Sequence, residues 1–252
     1  MGNRLRYSTV GCISSVQGID KIVLAESHPS AHVIGTDLSP IQPVHVPINC
    51  SFEIDDAEDE WLFKKPFSYI HGRALIMCFR DNPNVIRSAY KALAPGGYLE
   101  FQDPTFPLLF ADPQPPPDSP YVRWQQLVYQ GAAVAGRPWT HPSSYKEWME
   151  QAGFEDIREE KFFFPTGAWA AEPHLQRIGA WQLGNWLEII EAITPRMLSP
   201  LRWEIEEIKV LVAQVRDEFR KGALKPYCDF WCVYGRKPEA KEKAEESTGA
   251  AA

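Results

Sequence analysis

The stretch His32-Val33-Ile34-Gly35-Thr36-Asp37-Leu38-Ser39-Pro40 decides the fold class. An apolar run ends in a single carboxylate, and Ser-Pro turns the chain directly after it. In nucleotide-binding α/β domains, an acid at the carboxyl end of the second strand accepts hydrogen bonds from both ribose hydroxyls. Asp37 stands at that point. Downstream, Phe52-Glu53-Ile54-Asp55-Asp56-Ala57 is a second strand-like segment ending in acids and a small residue. Farther on, Leu93-Ala94-Pro95-Gly96-Gly97-Tyr98-Leu99-Glu100-Phe101 reads as a helix stop running into a strand. The three signals in this order predict a sheet built to hold a nucleoside.

Such a sheet needs a glycine-rich turn after its first strand, so that backbone can approach the ligand. The segment in that place is Ser8-Thr9-Val10-Gly11-Cys12-Ile13-Ser14-Ser15-Val16, with Gly11 as its one glycine. A β-branched Ile13 adds a side chain where backbone is expected to meet ligand.

The chain has 252 residues, enough for one large α/β domain with a full core. With 44% hydrophobic and 23% charged residues, its composition is that of a globular protein. A net charge of −7 argues against a general nucleic-acid binder, which would show a basic face. No apolar run is long enough to cross a bilayer. The segment Met1-Gly2-Asn3-Arg4-Leu5-Arg6 lacks the apolar centre of a signal peptide. A cytoplasmic protein is expected, or a nuclear one under a regulatory reading. The cysteines Cys12, Cys50, Cys78, Cys228 and Cys232 are odd in number and read as reduced thiols. No His/Cys spacing fits a zinc site, and no metal is expected.

Helical spacing of Ile19, Ile22 and Val23 predicts a helix over 16–28, ended by His28-Pro29-Ser30. Strands are expected at 31–37, 51–55, 66–73 and 98–103. Asp81-Asn82-Pro83 reads as a helix start, and Pro95-Gly96-Gly97 as its stop. Glu58-Asp59-Glu60 reads as a solvated turn. Strands alternating with helices predict a parallel, doubly wound sheet, whose ligands sit outside the carboxyl ends of the strands. Asp37, Asp56, His71 and Asp103 each follow a predicted strand, so all four are expected along one rim. The proline-rich stretch 104–120 reads as an extended connector. Helices follow at 121–135, 143–152, 173–193 and 201–220, with strands at 157–164 and 227–235. Trp139, Trp148, Trp169, Trp181 and Trp186 are core by default, and a subset can wall an apolar pocket. The domain is expected to run over 1–238, with a disordered tail at 239–252.

Several stretches together resemble the LaeA-type methyltransferases of fungal secondary metabolism. They are His28 to Ser30, Val33 to Gln42 (VIGTDLSPIQ), Phe52 to Glu58 (FEIDDAE), Tyr69 to Arg73 (YIHGR) and Ala89 to Asp103 (AYKALAPGGYLEFQD), then Gly153-Phe154 and Tyr234 to Pro238. The resemblance implies an α/β fold with the Rossmann-like, seven-stranded class I methyltransferase sheet, mostly parallel with an antiparallel last strand and helices on both faces. It implies S-adenosyl-L-methionine as cofactor, contacted by Gly11, Asp37, Leu38, Asp56 and Ala57. Asp37 would hold the ribose, and Asp56 with Ala57 the adenine. His71 to Arg73 would lie near the cofactor's methionine part and the acceptor, and Gln102 and Asp103 on the acceptor side, with His71 and Asp103 as the catalytic candidates.

The implied activity is methylation, on oxygen by default, of a small apolar or aromatic intermediate, with no direct nucleic-acid partner and no membrane. The alternatives are a non-catalytic methyltransferase-like regulator with protein partners, and a fold repurposed as a cyclisation pocket. The sequence departs from the family at the front. Thr9 stands for its acid, and Ile13 and Ser15 for two of its glycines. About eight residues precede the first strand, where the family carries a long segment.

Overall fold

A computed structural model of the chain describes residues 9–14, 19–39 and 45–240, and at 12–14 and 19 the backbone alone. The first half alternates: β1 (Thr9–Ser14), α1 (Ile19–Ser27), β2 (His32–Asp37), β3 (Cys50–Ile54), β4 (Phe67–Arg73), α2 (Asn82–Ala92) and β5 (Leu93–Pro104). The second half is β6 (Leu109–Ala111), α3 (Pro120–Val134), α4 (Ser144–Ala152), β7 (Glu155–Pro165), α5 (Pro173–Leu198), α6 (Ile205–Lys221) and β8 (Lys225–Arg236). The sheet runs β3-β2-β1-β4-β5-β8-β6, with β7 also paired to β8. From β3 to β5 the pairing is parallel, and β8 lies antiparallel to β5. This is the expected class I methyltransferase sheet, with the three-residue β6 added as an eighth strand.

Because side chains alternate across a strand, register assigns each to a face. Gly11, Ile34, Ile70 and Leu99 are neighbours across the sheet on one face. That face is closed. Phe67, Ile70, Leu99, Phe101 and Val233 pack against Val85, Ile86 and Ala89 of α2 and Tyr145 and Met149 of α4. On the opposite face Gly35, His71 and Glu100 share a row. There α1 sets Ala25 against Val10, Val33 and Cys50. Farther along that face, Tyr98, Glu100, Gln102, Cys232 and Tyr234 are half-buried.

A second core belongs to α3, α5 and α6. Tyr121, Trp124, Val128, Trp186, Ile190, Leu211, Val215 and Phe219 bury one another and close over Phe106 and Leu108 from the connector after β5. Trp124 donates its indole N–H to Thr194 at 2.7 Å. The connector is not wholly irregular, since Leu109–Ala111 pairs with the start of β8.

Several motif residues hold the framework. Lys237 donates to the Tyr90 and Leu93 carbonyls at 2.8 and 2.6 Å, placing a cation at the carboxyl end of α2. Arg236 pairs with Glu155 and Asp156 at 2.9 Å. Asp81 caps α2 by accepting the Asn84 amide at 2.9 Å, as expected. Glu58 does more than solvate a turn. It accepts the Arg80 and Asp81 amides at 2.6 and 3.1 Å and lies 3.6 Å from Arg137. The expected stop at Pro95-Gly96-Gly97 falls earlier, because α2 ends at Ala92 and Leu93 already pairs with Phe67. Residues 94–97 form a bulge, pinned by bonds between Gly96, Gly97 and Lys237 at 2.8–2.9 Å.

Candidate functional site

The carboxyl ends of β2 and β3 place the two predicted nucleoside acids side by side. Asp37 ends β2, and its carbonyl accepts the Asp55 amide at 3.1 Å. One Asp37 carboxylate oxygen accepts the Ser39 amide at 2.9 Å, the local bond that turns the chain. One Asp56 oxygen accepts the Glu58 amide at 2.9 Å in a second such turn. Leu38 is 61% exposed beside Asp37, an apolar side chain on the rim. The Ala57 carbonyl is held by the Trp61 indole N–H at 3.0 Å. Gly11 and Ala57 line a narrow crevice of about 10 Å³, shared with Thr36, Asp55, Trp61 and Phe63.

Gly11 itself lies inside β1 rather than in the turn, paired with Ile34 and Ile70. A Cβ there would stand 3.0 Å from the Phe67 ring, which would have to give by a few tenths of an ångström to admit it. Ser15 and Val16 lie outside the described residues, as do Met1-Gly2 and the tail from 241, and for Ile13 the backbone is described.

His71 is on β4, two residues from its end, on the face that carries α1. Its side chain is 12% exposed, and Nδ1 lies 4.0 Å from Asp20 of α1. Burial pushes the imidazole below its ordinary range, against the pull of Glu100 and Asp20. The ring is therefore neutral at neutral pH and able to accept a proton. Lys21, 2% exposed, lies 3.7 Å from Asp20. Asp20 is the residue here that sequence reasoning missed. Nothing in its spacing ties it to His71; only α1 crossing the sheet does.

Asp103 is not on the open rim. It is fully buried, on the opposite face of the sheet from His71. The alternation of β5 explains this, since Glu100 and Gln102 share His71's face and Asp103 falls between them and the other side. One oxygen accepts the Leu75 amide at 2.6 Å and the other the Tyr145 hydroxyl at 2.7 Å. Burial lifts its pKa to about 7, against those bonds. Asp103 thus holds the turn after β4, where Ala74 and Met77 take positive φ of 56° and 59°. The two expected catalytic residues are not brought together.

The tryptophans divide. Trp186 is buried, Trp139 is half-buried and stacks on Phe106 at 3.5 Å, and Trp181 is 78% exposed. The indole N–H groups of Trp139 and Trp186 are buried with no hydrogen-bond partner among the described residues. His174 is exposed. Among the described residues no group of three or more His, Cys, Asp or Glu is placed to hold a metal ion. No helix among them is long and apolar enough to cross a membrane.

A methyltransferase-domain family profile matches residues 14–159, more than half of the chain. The chain belongs to the methyltransferase-domain family. This family member is 33% identical over 228 residues to methyltransferase pytC of Aspergillus terreus, covering 90% of this chain and 70% of that protein. It is 30% identical over 242 residues to the secondary metabolism regulator laeA of Aspergillus fumigatus, covering 93% of this chain and 63% of the regulator. Among solved structures, Haemonchus contortus phosphoethanolamine N-methyltransferase 2 superposes with a TM-score of 0.56 at 18% identity, covering 94% of this chain and 50% of that one. That likeness speaks for the fold alone.

Proposed function

We propose that this methyltransferase-family chain moves a methyl group from S-adenosyl-L-methionine to an oxygen of a small molecule in a fungal secondary-metabolite pathway. One observation carries the reading. Asp37 ends β2 beside an exposed Leu38, and Asp56 follows the adjacent β3 by two residues, at the edge where such sheets bind nucleosides. The residues fit the cofactor. Asp37 takes the ribose hydroxyls, while Leu38, Asp56 and Ala57 take the adenine. Gly11 and Phe67 line the crevice beside Ala57.

When bound, the cofactor supplies a methyl group on a positively charged sulfur, already a good electrophile. The protein's part is then mainly orientation. His71, neutral through burial, takes the acceptor proton only where the acceptor hydroxyl does not ionise by itself. Asp103 serves as a positioning group for the turn after β4. The aromatic cap around Phe106, Trp139 and Trp186 suits an apolar or aromatic acceptor. The cytoplasm is the proposed compartment.

A second reading, a methyltransferase-like regulator acting through protein partners in the nucleus, is favoured by the match to laeA along 93% of this chain. Calorimetric titration of the cofactor into the purified protein separates the two. Saturable binding that is lost on changing Asp37 supports the enzyme. Absence of binding leaves the non-catalytic reading.

A further inference from the structure

The charged group of the rim that the proposed chemistry leaves unused is Arg73. It ends β4, two residues after His71 and on the same face of the sheet. Its side chain is exposed, and among the described residues no carboxylate forms an ion pair with it. The nearby acids on this face are engaged elsewhere. Glu100 accepts from Gln102 at 2.5 Å and from Cys232 at 3.3 Å, and Glu160 from Tyr234 at 3.3 Å.

The guanidinium instead leans over an aromatic ring. Its Cζ lies 5.9 Å from the centroid of Phe230, two strands away on β8. Phe230 stacks on Phe164 of β7 at 5.0 Å and 14°. Phe162, which pairs with Phe230 in register, is 46% exposed beside it. A planar cation is thus set at the edge of a flat aromatic platform, open to solvent. Guanidinium is suited to bidentate contact with a carboxylate or another planar anion, and its seat on a ring limits the orientations it must give up on binding.

We propose that Arg73 and the Phe230 platform form the anion-reading part of the acceptor site, and that the acceptor is a flat, conjugated molecule carrying a carboxylate. This rests on the methyltransferase reading above. The carboxylate is an anchor and not the attacking group, because pairing with a guanidinium withdraws the lone pairs that attack needs. A carboxylate is also present at the amino-acid end of the cofactor. The direction of the guanidinium decides for the acceptor: it reaches across β5 to β8, away from β1 and from Asp37 on β2.

The test uses the full chain and two matched probes, 1-naphthoate and neutral 1-naphthamide, titrated into the parent, Arg73→Gln and Phe230→Leu. The parent is expected to prefer the naphthoate by about tenfold, the worth of one charge-assisted contact. Arg73→Gln, a change at an exposed side chain, should abolish the preference. Phe230→Leu should weaken both probes. Equal affinity of the parent for both, or no binding of either up to on the order of 1 mM, overturns the proposal. S-adenosylmethionine and its decarboxylated analogue form the second arm. If Arg73→Gln weakens the former alone and leaves the naphthoate preference intact, the anion site belongs to the cofactor and the acceptor assignment is wrong. If the naphthoate preference depends on Arg73 while neither cofactor form binds the parent, the anion site stands and the methyltransferase reading fails.

Discussion

Asp103 and His71 show how neighbouring strands give two titratable groups opposite linkages. Asp103 has a folded pKa near 7, far above an ordinary Asp, so the folded state binds the extra proton between about pH 4 and 7. Stability contributed by that proton is complete below the lower value and lost as pH rises through the upper one. Asp103→Asn keeps an acceptor for the Leu75 amide and cannot ionise. The variant is expected to lose less stability between pH 5 and 8 than the parent, with a slope difference of up to about 1.4 kcal/mol per pH unit in denaturant titrations. An unchanged slope would remove Asp103 from the account of pH dependence. Asp103→Ala leaves both donors unpaired and should cost about 2–4 kcal/mol at neutral pH. His71 works the other way. Its folded pKa is depressed, so its stability is present above its ordinary pKa of about 6.5 and lost as pH falls. His71→Gln should therefore be more resistant to acid than the parent when unfolding is followed from pH 7 to 5.

At the scale of elements, the helical cap depends on close backbone approach. Gly131 of α3 faces Met197 of α5, and a Cβ there would lie 1.8 Å from the Met197 carbonyl oxygen. Gly131→Ala must separate the two helices, and a cost of about 3 kcal/mol or more is expected from chemical denaturation read by tryptophan fluorescence. Gly184 of α5 has nothing within 4 Å of its missing Cβ. Gly184→Ala should instead stabilise by about 0.5–1 kcal/mol, because alanine favours helix and restricts the unfolded chain. The same sign for both variants would contradict this packing. These elements also show what a sequence discloses. The strands β2, β4 and β8 were legible because apolar runs end at turn residues. The start of β5 was not, since the bulge at 94–97 is held by Lys237, far along the chain. The rim positions of Asp37 and Asp56 were legible, because each lies at or just past a strand end. The places of Asp103, whose face is fixed by strand register, and of Asp20, which meets His71 through the crossing of α1, were not legible.

For the whole molecule, the sheet brings two strand-end acids, an exposed leucine and a neutral histidine to the edge where class I methyltransferases work, and α3, α5 and α6 supply an aromatic cap. Everything proposed about chemistry depends on whether that edge holds the cofactor. Isothermal titration of S-adenosylmethionine into the parent and Asp37→Ala tests this most directly. Saturable binding by the parent, weakened in Asp37→Ala by about 1.5–3 kcal/mol, is the predicted result, the scale of charge-assisted bonds to the ribose. No binding by the parent, or equal affinity in the variant, would contradict it.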